Sequence, residues 1–264
     1  SESGVTKLVL HADEPELNYI SNDIPDSAEH ETVKITTLDE SMKEYQWSDV
    51  DFIKIDAEGH EPQIIDGGVK FFSENSPLIM YEYMHQQKVN TDLISRFEAI
   101  GYKSYQLIPE LNVLVPIESH QKLDSYLLNL FCCNNKRSAL LKEQGLMIDI
   151  LGAPDKKPID SNWKVIFRGR SFAKNLLKKW EKYIKKSADS SWKEYNKALK
   201  AYEISSSKDY SLADRFYFLN KACSIIAELI IDKPTTSRVM TLTRIYIELG
   251  NKKNALELLK QLIT

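Results

Sequence analysis

The chain has 264 residues, is 42% hydrophobic and sets 35 Lys and Arg against 38 Asp and Glu, a net charge of −3; these values exclude a disordered or fibrous protein and leave room for one large or two modest domains. No apolar run reaches the roughly 18 to 20 residues that span a bilayer, and no signal-peptide pattern opens the sequence. The three cysteines, Cys132, Cys133 and Cys223, fit neither a disulfide framework nor a zinc site and point to a reducing, cytoplasmic compartment.

The near-neutral total hides a split: residues 1–160 carry −14 and residues 161–264 carry +11. Two domains of opposite sign are therefore expected, 1–150 and 162–264, with a linker at 151–161 where Gly152, Pro154 and Pro158 stand among charges. The sequence opens at Ser1 without a methionine and runs at once into a strand-like segment, Val5–Leu10, so a fragment of a longer protein is expected.

From Thr32 to Glu118 strand and helix signals alternate, the pattern of βαβ units and a mostly parallel sheet. Val50–Ile55 is a short apolar strand ending in Asp56-Ala57-Glu58-Gly59-His60-Glu61. Pro62 then suits the first turn of a helix, where its missing N–H costs nothing. That helix is expected to run to about Asn75 with Ile64, Ile65, Val69 and Phe72 on its buried face. Pro77–Tyr83 is the next strand, Thr91–Ile100 an amphipathic helix stopped by Gly101. Lys103–Ile108 and Asn112–Pro116 read as a hairpin pair.

Function in open α/β sheets gathers beyond the carboxyl ends of the strands, which places the candidate site at Asp56, Glu58, His60 and Glu61. Glu82 ends the following strand. Neighbouring strands lie only about 5 Å apart, so the two strand ends can share a cleft. An imidazole titrates near neutrality, with an unperturbed pKa of about 6.5, which suits His60 to take a proton from a substrate hydroxyl. An Asp between a strand and a helix is equally the ordinary chemistry of an N-cap, so Asp56 alone decides nothing. The grouping of four ionisable residues is what points to a site.

Ile35-Thr-Thr37-Leu-Asp39, Val50-Asp-Phe-Ile-Lys-Ile-Asp56-Ala-Glu58-Gly59-His60-Glu61, Ile65-Asp-Gly67-Gly68 and Pro77-Leu-Ile-Met-Tyr-Glu82 together resemble the C-terminal half of the FkbM family of S-adenosylmethionine-dependent O-methyltransferases. The resemblance covers about residues 1–150. It implies an α/β fold built on a Rossmann-like class I methyltransferase sheet with its N-terminal half missing, and methyl transfer to a hydroxyl of a sugar, a glycan or a secondary metabolite. It further implies that Asp56 and Glu58 lie beside the methyl donor and that His60, Glu61 and Glu82 form or support the acceptor pocket, with Asp56, Glu58, His60 and Glu82 as the catalytic set. Asp56, Glu58 and Glu82 are oxygen ligands of the kind hard cations take, yet nothing in the pattern demands a metal. Such folds hold the donor through a glycine-rich loop after the first strand. None of the nine glycines here forms a G-x-G, so the donor loop is expected outside this chain, which alone is expected to bind S-adenosylmethionine weakly. Val5–Leu10 is then read as a late strand of the donor half.

Ser119–Ile148 is apolar-rich and reads as helical, with Cys132 and Cys133 as small buried hydrophobes. From Asn162 onward the pattern is all helical. Lys174–Lys186 alternates six lysines with Leu176, Leu177, Trp180, Tyr183 and Ile184, a basic amphipathic helix. Such a face is a solvated surface, a docking site for the acidic domain or a peripheral contact with an anionic membrane. No nucleic-acid module is present, and nucleic acid is not expected as a partner. Tyr246–Leu262, with Gly250 at a turn and Ala255 at a close-packing point, resembles a tetratricopeptide repeat. Trp192–Glu203 and Leu212–Ile231 are read as an earlier, irregular helix pair. The tail is thus expected to be an all-α helical-repeat domain that binds a protein partner.

Overall fold

The computed structural model describes residues 3–10, 19–20, 29–57, 59–85, 88–89, 91–117, 123–149, 154, 164, 177–179, 181–182 and 189–263. The chain divides into two compact units, residues 1–105 with 128–140, and residues 106–127 with 141–264. The linker expected at 151–161 lies outside the described residues except for Pro154.

In the first unit, β1 (Gly4–Val9) pairs antiparallel with β2 (Tyr19–Ile20) and with β3 (His30–Ile35) in a three-stranded sheet. The strand expected at Val5–Leu10 therefore forms, but it joins this small sheet and not the sheet that carries the candidate site. Helix α1 (Leu38–Tyr45) starts where Thr37 accepts a hydrogen bond from the Glu40 N–H, the N-cap half of a capping box, and stops at Gln46 in the left-handed region.

The main sheet follows. β4 (Phe52–Ile55) is crossed over by two helices, α2 (Glu61–Asp66) and α3 (Val69–Asn75), to β5 (Leu78–Glu82), which lies parallel to it. A small hairpin, β6 (Met84–His85) and β7 (Lys88–Val89), and helix α4 (Thr91–Ala99) lead to β8 (Lys103–Ile108) and β9 (Val113–Pro116). β10 (Asn129–Cys133) and α5 (Asn135–Glu143) come next, and the strand order is β4-β5-β10-β8-β9. β10 runs antiparallel to both of its neighbours, so the sheet is mixed where the sequence pattern predicts a mostly parallel one.

Two further expectations are corrected. The stretch read as helical over Ser119–Ile148 holds the central strand β10, and among its described residues the α-helix is confined to α5. Five residues, Asn-Leu-Phe-Cys-Cys, are too short a run for periodicity to separate strand from buried helix, and pairing on both sides decides for the strand. Alternation sends Cys132 and Cys133 to opposite faces, and both are buried. The helix expected from Pro62 to Asn75 is likewise two helices, because Gly67-Gly68 interrupts it. That break shifts the phase of the buried face: Phe71 and Phe72 turn inward and Val69 is left exposed. Gly68 is a close-packing residue, since a β-carbon there would stand 2.8 Å from Phe72 and 2.9 Å from Leu38. Asp39 then holds the second helix, accepting the Phe71 N–H at 2.8 Å and the Lys70 N–H at 3.3 Å, so a carboxylate from α1 caps α3.

One face of this sheet is the core. Ile55, Ile79, Tyr81, Leu130 and Cys132 are buried in this unit together with Phe71, Phe72, Phe97 and Tyr102, and Tyr81 packs on Phe97 with ring centroids 4.8 Å apart. The Tyr102 hydroxyl donates to the Phe72 carbonyl at 2.7 Å, and Tyr81 and Ser104 share a hydrogen bond of 2.9 Å, so the buried hydroxyls are satisfied.

In the second unit, the outer half of β8 and β9 pack as Ile108, Leu111, Val113 and Val115 with Ile148, Leu212 and Phe216. Four helices follow: α6 (Ser191–Ser206), α7 (Leu212–Asp232), α8 (Thr236–Glu248) and α9 (Lys252–Ile263). Ser211 and Thr235 cap α7 and α8 with their side chains, Pro234 precedes α8, and Gly250 turns the chain at φ +81°. Tyr195, Leu199, Phe218, Ile226, Leu242 and Leu258 fill the helical core. The pairing of α6 with α7 and of α8 with α9 follows the expected helical hairpins, with Ala255 buried as expected. The basic helix of Lys174–Lys186 lies largely outside the described residues; Leu177–Lys179 are helical there, and Leu177 packs on the core.

Candidate functional site

The site is built on the parallel pair β4 and β5. The two strands are in register Phe52 with Leu78, Ile53 with Ile79, Lys54 with Met80 and Ile55 with Tyr81. Asp56 and Glu82 each follow the last registered pair by one residue, and continuing the register sets them level. Side chains of registered residues in adjacent strands share a face and sit about 5 Å apart, so these two carboxylates are neighbours at the carboxyl end of the sheet. Their face is the one opposite Ile55 and Tyr81, away from the aromatic core.

Lys54, two residues before Asp56, shares that face, and its ammonium donates to Asp56 Oδ2 at 2.6 Å. The hydrogen bond and charge of Asp56, helped by Glu82, raise the Lys54 pKa above its ordinary value. Three charged side chains therefore converge, two negative and one positive. Lys54 escapes a reading aimed at acids; its signal is the two-residue period of a strand.

Beyond Asp56 the chain turns sharply. The His60 N–H donates to the Ala57 carbonyl at 3.0 Å, and Gly59 stands at φ +98°, a region that suits glycine. Glu61 fixes this turn from within. It is buried, and its Oε1 accepts the Ala57 N–H at 3.0 Å and the Gly59 N–H at 3.3 Å. A carboxylate at the first residue of α2 also sits favourably at the positive end of the helix. Glu61 thus supports the loop that carries the other residues. His60 is half-buried at the N-cap of α2, where its backbone carbonyl accepts the Ile64 N–H and its side chain makes no capping bond. The imidazole is therefore not committed to holding the helix. Glu58 lies outside the described residues.

A second residue carries no sequence signal of its own. β10 pairs Asn129 with Glu82, so Asn129 extends the row from Asp56 through Glu82 across a third strand. Reading the segment as helix hides it, and no local feature reveals which strand β10 joins. Among the described residues no three His, Cys, Asp or Glu side chains come together as a metal site. No described helix is long and apolar enough to cross a membrane.

The family model described as the Methyltransferase FkbM domain matches residues 3–136, which include both strand ends, the loop between Asp56 and Glu61, and β10. The helical tail matches no tetratricopeptide family. No curated protein and no solved structure matches the chain. The match spans half of the chain and every described residue of the strand-end site, and the chain belongs to the FkbM methyltransferase family.

Proposed function

We propose that the chain carries the acceptor side of an S-adenosylmethionine-dependent O-methyltransferase, with a hydroxyl of a sugar, glycan or secondary metabolite as acceptor. The observation that supports this most directly is the register that sets Asp56 beside Glu82 at the carboxyl end of a parallel pair, one turn from an uncommitted His60. S-adenosylmethionine, when bound, supplies an electrophilic methyl group on a cationic sulfur. The residues present suit a cation: Asp56 is a carboxylate at the mouth of the loop, and, its chain neighbours aside, no heavy atom of the described residues lies within 4 Å of where a β-carbon on Gly59 would stand. Asp56 and Glu58 are assigned to the donor, and His60, Glu61 and Glu82 to the acceptor.

Methyl transfer to oxygen asks little of the protein beyond alignment and removal of one proton. Glu82 accepts a hydrogen bond from the acceptor and orients it, His60 takes the hydroxyl proton as the carbon–oxygen bond forms, and Glu61 keeps the loop in shape. The helical unit is read as the part that binds a protein partner. The test uses labelled S-adenosylmethionine and a panel of sugar acceptors with the longest available form of the protein. His60→Ala is expected to lower transfer by about 10²-fold or more, and Asp56→Asn to lower it as well, with folding retained in both. Unchanged rates in both variants refute the assignment.

A further inference from the structure

We infer that the outer half of β8, the strand β9 and the helical tail form one cooperative folding unit, closed by a strap, Asp124–Leu127, whose first residue caps the last helix. The inference concerns how the chain holds itself together and does not depend on the reaction proposed above. Four observations carry it. The strap comes first. Asp124 Oδ1 accepts the Tyr126 N–H at 2.7 Å and the Asp124 carbonyl accepts the Leu127 N–H at 3.0 Å, so this residue shapes its own turn. Its second carboxylate oxygen accepts the Lys253 N–H at 2.9 Å, from a residue 129 positions further along the chain. Lys253 is the second residue of α9, and the N–H groups of a helix's first turn have no partner within the helix. A carboxylate there satisfies one such donor and meets the positive end of the helix.

The turn before that helix is the second observation. The Glu110 N–H donates to the Glu248 carbonyl at 3.3 Å, and a β-carbon on Gly250 would stand 3.5 Å from both Pro109 Cδ and Gln106 Nε2. Third, the chain just past α5 is bonded to β9: the Leu114 N–H donates to the Leu146 carbonyl at 2.8 Å, and the Ile148 N–H donates to the Leu114 carbonyl at 3.0 Å. Fourth, Phe216 of α7 packs both on the strand core of Ile108, Leu111, Val113 and Val115 and on the helical core. Separating strands from helices would therefore expose apolar surface on each. Neither part has stability to spare, since β9 is a strand of four residues and α9 a helix of twelve, lengths that are marginal alone in water. The family match, residues 3–136, includes β8, β9 and the strap; the tail is then a built-in support of that domain and not a detachable module. The turn end of its last helix pair is filled by the chain's own strands, which leaves other surfaces of the tail to a protein partner.

Native-state hydrogen exchange on the whole chain in low denaturant tests this, with the amides of Leu114 and Ile148 as probes of the strands. Asp124→Ala is expected to speed exchange roughly fivefold, the effect of losing one cap, and by the same factor at Leu114 and Ile148 as within α7 and α8. Asp124→Asn keeps an acceptor and should recover most of the protection. Leu242→Ala opens a cavity in the helical core and should loosen Leu114 and Ile148 together with the helices, even where it unfolds the tail. Exchange that speeds only around residues 252–256 makes Asp124 a local cap and overturns the inference. So do a Leu242→Ala chain whose helices open while Leu114 and Ile148 stay protected, an Asp124→Ala chain with no change in either place, and equal speeding in β4 and β5, which makes the chain one undivided unit.

Discussion

Replacing Glu248 by Gln should stabilise the helical unit at alkaline pH and do almost nothing in mild acid. Glu248 lies at the end of α8, where its carboxylate accepts the Tyr202 hydroxyl from α6. The turn between β8 and β9 comes up against the same place, with the Glu110 N–H donating to the Glu248 carbonyl at 3.3 Å. Burial raises the Glu248 carboxyl most, the negative charge of Glu110 adds to it, and the Tyr202 hydrogen bond and Arg244 pull the other way without cancelling them. The result is a pKa pushed up from 4.5 to about 7. A carboxyl whose pKa is higher folded than unfolded contributes stability while protonated, and loses it as pH rises from its unfolded pKa through its folded one. That window runs from 4.5 to about 7. At about 1.36 kcal/mol per pKa unit the full effect is about 3 kcal/mol, and the partial exposure of the group reduces it to about 1–2 kcal/mol. Glutamine keeps an acceptor for Tyr202 and carries no charge. Urea unfolding followed by circular dichroism should therefore show the variant more stable than the parent by about 1–2 kcal/mol near pH 8, with the two converging near pH 5. A pH-independent difference, or a variant less stable at pH 8, refutes the account of a carboxylate charged against its surroundings.

Three further substitutions test the framework around both units. Asp39→Ala removes the carboxylate that caps α3 from α1 and should cost about 1 kcal/mol in a chemical melt, with Asp39→Asn recovering part of it. Gly68→Ala drives a methyl group into Phe72 and Leu38 and to 3.1 Å from the Ile64 carbonyl oxygen, a backbone atom that cannot step aside; a loss of about 1–3 kcal/mol is expected from thermal unfolding. Arg238 is fully buried, donates to the Lys233 carbonyl at 2.7 Å and to Ser191 Oγ at 2.8 Å, and lies over Trp192 at 5.0 Å. Arg238→Ala should cost about 3 kcal/mol or more, since it removes packing and leaves the Lys233 carbonyl without this donor, and the loss should register in Trp192 fluorescence.

The parts of this molecule that are legible in the sequence are those whose cause is local. Pro62 and Gly101 mark the start of one helix and the end of another, and the acids after Ile55 stand at a strand end because the apolar run before them is short. What is not legible depends on partners far along the chain. The apolar run of β10 has the same composition whether it is a helix or a strand, and its fate is decided by β5 and β8, which flank it. An unbroken helical period puts Val69 on the buried face, but Gly67-Gly68 resets that period, and the reason for the break is the contact Gly68 makes with Leu38, some 30 residues earlier.

The same distinction explains why the sequence shows the candidate site as a list of acids and not as an arrangement. Asp56 and Glu82 are 26 residues apart and meet only through the parallel register of their strands. A slip of one residue would send one of them to the aromatic face, so the burial of Ile55 and Tyr81 on that face is what holds the two carboxylates together. The strand register of the site is therefore secured by the core. Glu61 repairs what the core cannot reach, the turn after Asp56, by binding two of its backbone N–H groups. It follows that truncating a core residue such as Tyr81 should disturb the strand ends that carry Asp56 and Glu82, although its own side chain lies on the opposite face. Glu61→Gln, by contrast, keeps an oxygen for both N–H groups and should be tolerated far better than Glu61→Ala, a difference that thermal unfolding of the two variants would read directly.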